Sequence, residues 1–154
     1  MRGLVFIVLI FSSLASNAQT VNKSTILFVC EHGAARSTIA AAYFNKIAKE
    51  RGLDYQAVFR GTDPQNELTS GTKQGLMNDG FDVSGMTPSL VSKGDAAKAV
   101  QVITFDCALP SDCIAAELHQ WNGIPPISES YNGARDQIVR KVDALIMQLL
   151  KNGK

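Results

Sequence analysis

The residues best suited to chemistry stand together in Cys30-Glu31-His32-Gly33-Ala34-Ala35-Arg36-Ser37. An apolar run, Ile26-Leu27-Phe28-Val29, precedes them, and an amphipathic helical pattern starts near Ser37. A strand that ends in a short Gly-containing loop at a helix N-terminus forms an anion site. The first amides of the helix lack intrahelical acceptors, and its macrodipole is positive there. Cys30 opens the loop in that field, which favours thiolate over thiol, and the thiolate is the nucleophile. Arg36 adds a planar two-pronged donor for phosphate-like oxyanions. Gly33 permits a tight turn, and Ser37 has a hydroxyl to offer the sulfur. The expected chemistry is attack by Cys30 on a tetrahedral oxyanion held by Arg36 and the amides of Glu31, His32, Gly33, Ala34, Ala35 and Arg36. A lone cysteine closing a buried strand reads as a small core hydrophobe; Arg36, Gly33 and Ser37 at these spacings reverse that reading. His32 either brings a charge next to the anion or is a hydrogen-bonded structural imidazole.

The elements that must position this loop follow from periodicity. Thr25 to Cys30 reads as a strand buried on both faces, as in a parallel sheet. A helix from about Ser37 to Glu50 follows, stopped by Gly52, with stripes Ile39, Tyr43, Ile47 and Ala40, Phe44, Ala48 toward the core. Tyr55 to Phe59 is a second strand, and Asp63-Pro64 opens a turn. A helix from about Glu67 to Asn78 is weakened by Gly71 and Gly75. Phe81 to Leu90 is irregular, Ser92 to Ala99 a short helix, and Val100 to Phe105 a central strand. Another short helix is expected after Cys113, to about Leu118. A Pro-rich loop, Trp121 to Ser130, then leads to a last helix, Tyr131 to Leu150, with stripe Ile138, Val142, Leu145, Ile146 and Leu149. Alternating strands and helices predict an α/β three-layer sandwich, with a four-stranded parallel sheet and helices on both faces. Ligands of such sheets bind beyond the strands' carboxyl ends, where Cys30 lies.

The pattern Cys-x5-Arg-Ser directly after the first strand resembles the low-molecular-weight protein tyrosine phosphatases. It equally resembles their relatives, the thioredoxin-coupled arsenate reductases. Phe59-Arg60-Gly61-Thr62, Gly80-Phe81-Asp82-Val83-Ser84 and Val102-Ile103-Thr104-Phe105-Asp106 resemble further stretches of that family, so the likeness spans most of residues 24–150. The resemblance implies a cysteine-nucleophile enzyme without a cofactor. Two departures stand out. The family usually has an Asn bracing the loop where this chain has Gly33, and an Asp proton donor in the loop before the last helix where this chain has Pro126.

A leaving oxygen needs a proton, and general acid help contributes about a hundred- to ten-thousand-fold. Glu129 is the nearest carboxyl group to the missing Asp and Asp106 the next candidate; Glu129 also reads as a charged residue entering the last helix. Cys107 and Cys113 lie beyond the sheet's carboxyl edge. By resemblance they are the relay pair of an arsenate reductase, drawing on a thioredoxin-like reductant. From the residues alone they read equally as a structural disulfide in an oxidising compartment.

Composition narrows the class further. The chain has 154 residues, 45% of them apolar, and a net charge of +1, which suits one globular domain and gives no basic excess for nucleic acid. His32 and His119 are the only histidines and no Cys-x-x-Cys occurs, so no metal site is expected. Arg2, the apolar run from Leu4 to Leu14 and Ala15-Ser16-Asn17-Ala18 outline a secretory signal peptide over residues 1–18, ahead of a catalytic domain over 24–152. The expected protein is secreted or periplasmic, free of the membrane after signal cleavage. Three functions fit: hydrolysis of phosphate monoesters, phosphotyrosine-like, on a phosphorylated protein or small molecule; arsenate reduction; and non-catalytic phosphate binding.

Overall fold

A computed structural model of the chain describes residues 23–152. The signal peptide expected over residues 1–18 lies outside the described residues. The elements run β1 (Ser24–Cys30), α1 (Arg36–Glu50), β2 (Tyr55–Gly61), α2 (Ser70–Asn78), α3 (Lys93–Lys98), β3 (Ala99–Phe105), β4 (Leu118–Gln120) and α4 (Tyr131–Asn152). The four strands form one all-parallel sheet in the order β2-β1-β3-β4.

β1 lies inside the sheet, and its period of two decides which way each side chain goes. Ile26, Phe28 and Cys30 face a core built with α1, α2 and α4. Leu27 and Val29 face a smaller core under α3, with Val91, Ala96, Val102 and Cys113. All five residues from Ile26 to Cys30 are buried, as an unbroken apolar run in a central parallel strand requires. β1, β2 and β3 end level, with Cys30 opposite Gly61 on one side and Phe105 on the other.

One expected element is absent. The short helix placed before Leu118 is irregular chain, and Leu118–Gln120 is instead the fourth strand, paired with Val102 to Thr104. Three residues are too few to show an alternating pattern, so pairing with β3 decides their state. The helix expected from Glu67 begins at Ser70, because Thr69 caps it by accepting the Thr72 amide.

β2 is an edge strand whose outward groups are nonetheless occupied. The Asn45 amide donates to Ala57 O at 2.9 Å and accepts the Ala57 amide at 2.7 Å, in the manner of a neighbouring strand. Arg60 Nη1 donates to Phe59 O at 2.8 Å, and Gly61 pairs with Ser89 and Val91. These bonds close the edge against pairing with another chain.

The helices on the larger core are locked by Asp79. Its carboxylate accepts from Tyr43 (2.7 Å), Tyr131 (2.6 Å) and Arg135 (2.8 Å), joining α1, the end of α2 and the start of α4. Gly75 is the glycine that lets them meet: a Cβ there would lie 2.3 Å from the Tyr131 ring. Burial would raise the Asp79 carboxyl, but the hydrogen bonds from Tyr131, Tyr43 and Arg135 outweigh it and hold the group below the usual carboxylate range. Tyr43 is pushed up to about 12, first by burial and then by its bond to Asp79. The carboxylate stabilises the fold above its unfolded value of about 3.9, and that contribution is lost as pH falls through the lowered native value. The neutral Tyr43 stabilises below about 10, and its contribution is lost as pH rises through about 12. Asp79→Ala is expected to cost about 3 kcal/mol in denaturant unfolding, since it strips one charged and two hydroxyl donors of their acceptor. The Asp79→Asn variant should show a flatter loss of melting temperature below pH 4 than wild type; equal acid limbs would contradict the assignment.

Candidate active site

The loop after β1 is shaped by where its carbonyls go. Cys30 O accepts from the Thr62 amide (3.1 Å), Glu31 O from Asp63 (2.8 Å), His32 O from Gln65 (3.1 Å) and Ala34 O from Thr69 (3.1 Å). Gly33 O accepts the Thr38 hydroxyl at 2.8 Å, and Ala35 O the Ile39 amide at 3.0 Å. Six consecutive carbonyls are thus bonded to surrounding chain. Among the described residues, none of the amides of residues 31–36 meets a protein acceptor. α1 begins at Arg36 with no side-chain cap and no acidic residue in its first turn. The uncapped helix end and the free amides form one unsatisfied donor cluster, which suits an anion.

The loop and the end of β2 approach each other closely at two glycines. Gly33 sits at φ +60, and a Cβ on it would lie 2.8 Å from the Gly61 amide nitrogen. A Cβ on Gly61 would lie 2.8 Å from the Gly33 amide nitrogen. The two glycines let the loop lie directly on the end of β2, where residues 62–69 reach its carbonyls.

Cys30 Sγ and Ser37 Oγ are 3.0 Å apart and buried, with the sulfur at the loop's start and the hydroxyl in the first turn of α1. Arg36 Nη1 donates to Asp106 Oδ2 and to Ile124 O (3.3 Å). Its Nε and Nη2 meet no protein acceptor among the described residues, which leaves one guanidinium edge for a bidentate oxyanion.

Asp106 is the site residue whose role sequence reasoning missed. It follows β3 with φ 48, the left-handed region that Asp tolerates better than most residues. Besides holding Arg36, it accepts the Gly123 amide on Oδ1 (3.1 Å), and its own amide donates to Asn122 Oδ1 (3.2 Å). Asp106 thereby ties the arginine to the loop 121–130. Trp121 anchors the start of that loop, with its ring 5.6 Å from those of Phe28 and Phe105 and its amide on Thr104 O. A carboxylate occupied on both oxygens is a positioning group. The signal available in sequence was only an Asp at the end of a central strand.

A cleft of about 360 Å³ opens beside the loop, walled by His32 and Arg36, by Thr69 and Gly71 at the start of α2, and by Pro126 and Ile127. Glu129, expected as proton donor, is exposed and is not among the residues that wall the cleft. The 126–130 turn, closed by the Glu129 amide on Pro126 O, presents the preceding three residues to the cleft instead. His32 Nδ1 lies 3.0 Å from Asp63 O, and Nε2 4.0 Å from the Glu31 carboxylate.

All three thiols are free. Cys107 is half-buried and donates to Val29 O at 3.6 Å; Cys113 is buried in the smaller core, 7% exposed. Burial pushes the Cys107 thiol up. Burial and then the Asp112 carboxylate push Cys113 up as well.

A parallel α/β sheet with a cysteine-initiated loop of free amides after its first strand defines a class of small cysteine-loop proteins, and comparison with known proteins gives the family. The family described as low molecular weight phosphotyrosine protein phosphatase matches residues 25–152, and the chain belongs to it. Among solved structures, YfkJ from Bacillus subtilis superposes with a TM-score of 0.76 at 19% identity, covering 86% of this chain and 98% of that one. A low molecular weight phosphotyrosine phosphatase from Vibrio cholerae O395 gives 0.72 at 17% identity, over 85% and 99% of the two chains. An arsenate reductase from Archaeoglobus fulgidus gives 0.66 at 24% identity, over 79% and 98%. No curated protein matches by sequence. The family covers both phosphatases and arsenate reductases, and it is enzymatic.

The contact between Gly33 and Gly61 makes a direct prediction. Gly61→Ala should lift the loop from β2 and weaken phosphate binding at least about tenfold, as strained close packing does, read by calorimetric titration. Unchanged affinity would show that the loop does not need the contact.

Proposed function

We propose that the chain is a cysteine-dependent phosphatase for phosphate monoesters, exported by its N-terminal segment. The observation that carries the reading is the buried Cys30–Ser37 pair at the start of a loop whose amides, from residue 31 to 36, meet no protein acceptor, with the open edge of Arg36 closing the loop. A phosphoryl group seated there presents its three non-bridging oxygens to the amides of residues 31–36 and to Arg36. Phosphorus then faces Cys30 Sγ. Attack by the thiolate breaks the ester P–O bond and leaves a phosphocysteine; water then cleaves the P–S bond and releases phosphate. The donors are in place before charge develops, the condition under which electrostatic stabilisation is largest. The Ser37 hydroxyl stabilises the thiolate, both as attacking and as departing group. Phosphotyrosine-like esters suit the cleft, whose Pro126 and Ile127 wall is apolar.

Arsenate reduction is the second reading. It is favoured by the two free thiols after β3, of which Cys107 reaches the backbone of Val29, next to Cys30. Against it stand the raised thiols of Cys107 and Cys113, since attack in such a relay requires thiolate. The relay would also require a thioredoxin-like reductant. A binding module that holds phosphate without turnover is the third reading.

Purified protein is expected to hydrolyse p-nitrophenyl phosphate, and Cys30→Ser to lower kcat about a thousandfold or more, as loss of a covalent nucleophile does. Cys107→Ser should leave that rate unchanged. If wild type is inert with the ester but consumes arsenate with a thiol reductant, and Cys107→Ser abolishes this, the reductase reading replaces the phosphatase one. Tight phosphate binding with neither activity would assign the binding module.

A further inference from the structure

The proposed phosphatase reaction lacks one component, a proton for the leaving oxygen. Pro126 stands in the cleft wall, and proline has nothing to donate. Asp106 has both carboxylate oxygens committed, to Arg36 and to the Gly123 amide. Glu129 is not among the residues that wall the cleft. His32 is a titratable side chain that does wall it, together with Ala35 and Arg36 of the same loop.

The orientation of this ring is set from behind. Nδ1 lies 3.0 Å from the carbonyl oxygen of Asp63, and a carbonyl only accepts, so Nδ1 carries hydrogen in every protonation state that keeps the bond. The Asp63 backbone is itself held, because its amide donates to Glu31 O at 2.8 Å. Proton exchange is thereby confined to Nε2. That nitrogen has the Glu31 carboxylate at 4.0 Å, an ion-pair distance when the ring is cationic, and half of the side chain remains open to solvent. A histidine with one nitrogen fixed by a carbonyl and the other free has the arrangement of a general acid–base group.

Resting on the phosphatase reading, we propose that His32 is the catalytic acid and base of this chain, supplied from within the oxyanion loop instead of from the loop before the last helix. In the first step Cys30 Sγ forms the S–P bond, the ester P–O bond breaks, and the Nε2 proton of the imidazolium passes to the departing oxygen. The neutral ring then takes a proton from water as that water attacks phosphorus. The P–S bond breaks, phosphate leaves, and Cys30 thiolate with His32 imidazolium is restored. No external oxidant, reductant or metal enters the balance.

The test is leaving-group dependence. p-Nitrophenolate departs without a proton, whereas phenolate and alkoxides need one. His32→Asn retains an N–H near the Nδ1 position for Asp63 O and removes Nε2; His32→Gln is the second variant should the first not fold. The expected result is a fall in kcat/KM of about a hundredfold on phenyl phosphate, with less than about threefold on p-nitrophenyl phosphate. Added imidazole should restore phenyl phosphate turnover to His32→Ala, which a purely structural histidine would not allow. Equal losses on both esters, or none on either, would overturn the inference while leaving Cys30 chemistry intact. Wild type inert toward both esters would instead overturn the phosphatase reading and the inference with it.

Discussion

The structure depends on the outward bonding of six consecutive carbonyls, from Cys30 to Ala35. A peptide group that turns its oxygen one way turns its N–H the other. Committing every carbonyl to surrounding chain therefore collects the amides on the inner side of the turn. Amides gathered in this way, with no protein acceptor of their own, are the arrangement that suits an anion. The donors come from residues 62–69 and from the first turn of α1, so the end of β2 and the entry to α2 belong to the site as much as the loop does.

A second constraint acts from the opposite side. Arg36 would be free to sweep through solvent were it not held by Asp106 and Ile124 O. Asp106 adopts a left-handed conformation to do so, and its second oxygen and its amide fasten the residues after β4. Strain kept by surrounding bonds is common where geometry must be exact enough for chemistry. The three walls of the cleft, from α1, α2 and the 121–130 loop, are thus joined to one another through backbone polar groups.

The three cysteines illustrate how environment separates identical side chains. Cys30 ends a strand beneath an uncapped helix and is paired with a hydroxyl. Cys107 and Cys113 lie on the other side of the sheet, where apolar surroundings disfavour the thiolate. In sequence, Cys107 and Cys113 read either as a relay pair, by resemblance, or as a structural disulfide, with Cys30 as the nucleophile. The alternation of β1 and the burial after β3 place Cys30 in the larger core and Cys107 and Cys113 against the smaller one.

The candidate loop's place between β1 and α1, the buried central strand, the layered α/β class and the amphipathic faces of α1 and α4 were legible in the residues, because each rests on local periodicity or on a motif within eight positions. Family membership followed from the same stretches. The fourth strand was not legible, since Leu118–Gln120 is extended only through pairing with β3. Nor were the roles of Asp106, Asp79 and Asn45, or the close approach of Gly33 to Gly61, whose partners lie between 12 and 70 residues away in the chain. The bond between His32 Nδ1 and the Asp63 carbonyl, 31 positions apart, was likewise invisible in the sequence. Sequence by itself determined the layered fold class, the family and the candidate groups for chemistry, because composition and short-range spacing are sufficient for that. Only the tertiary structure decided which of them face one another, because hydrogen-bond partners across a parallel sheet are distant in sequence and leave no periodic trace.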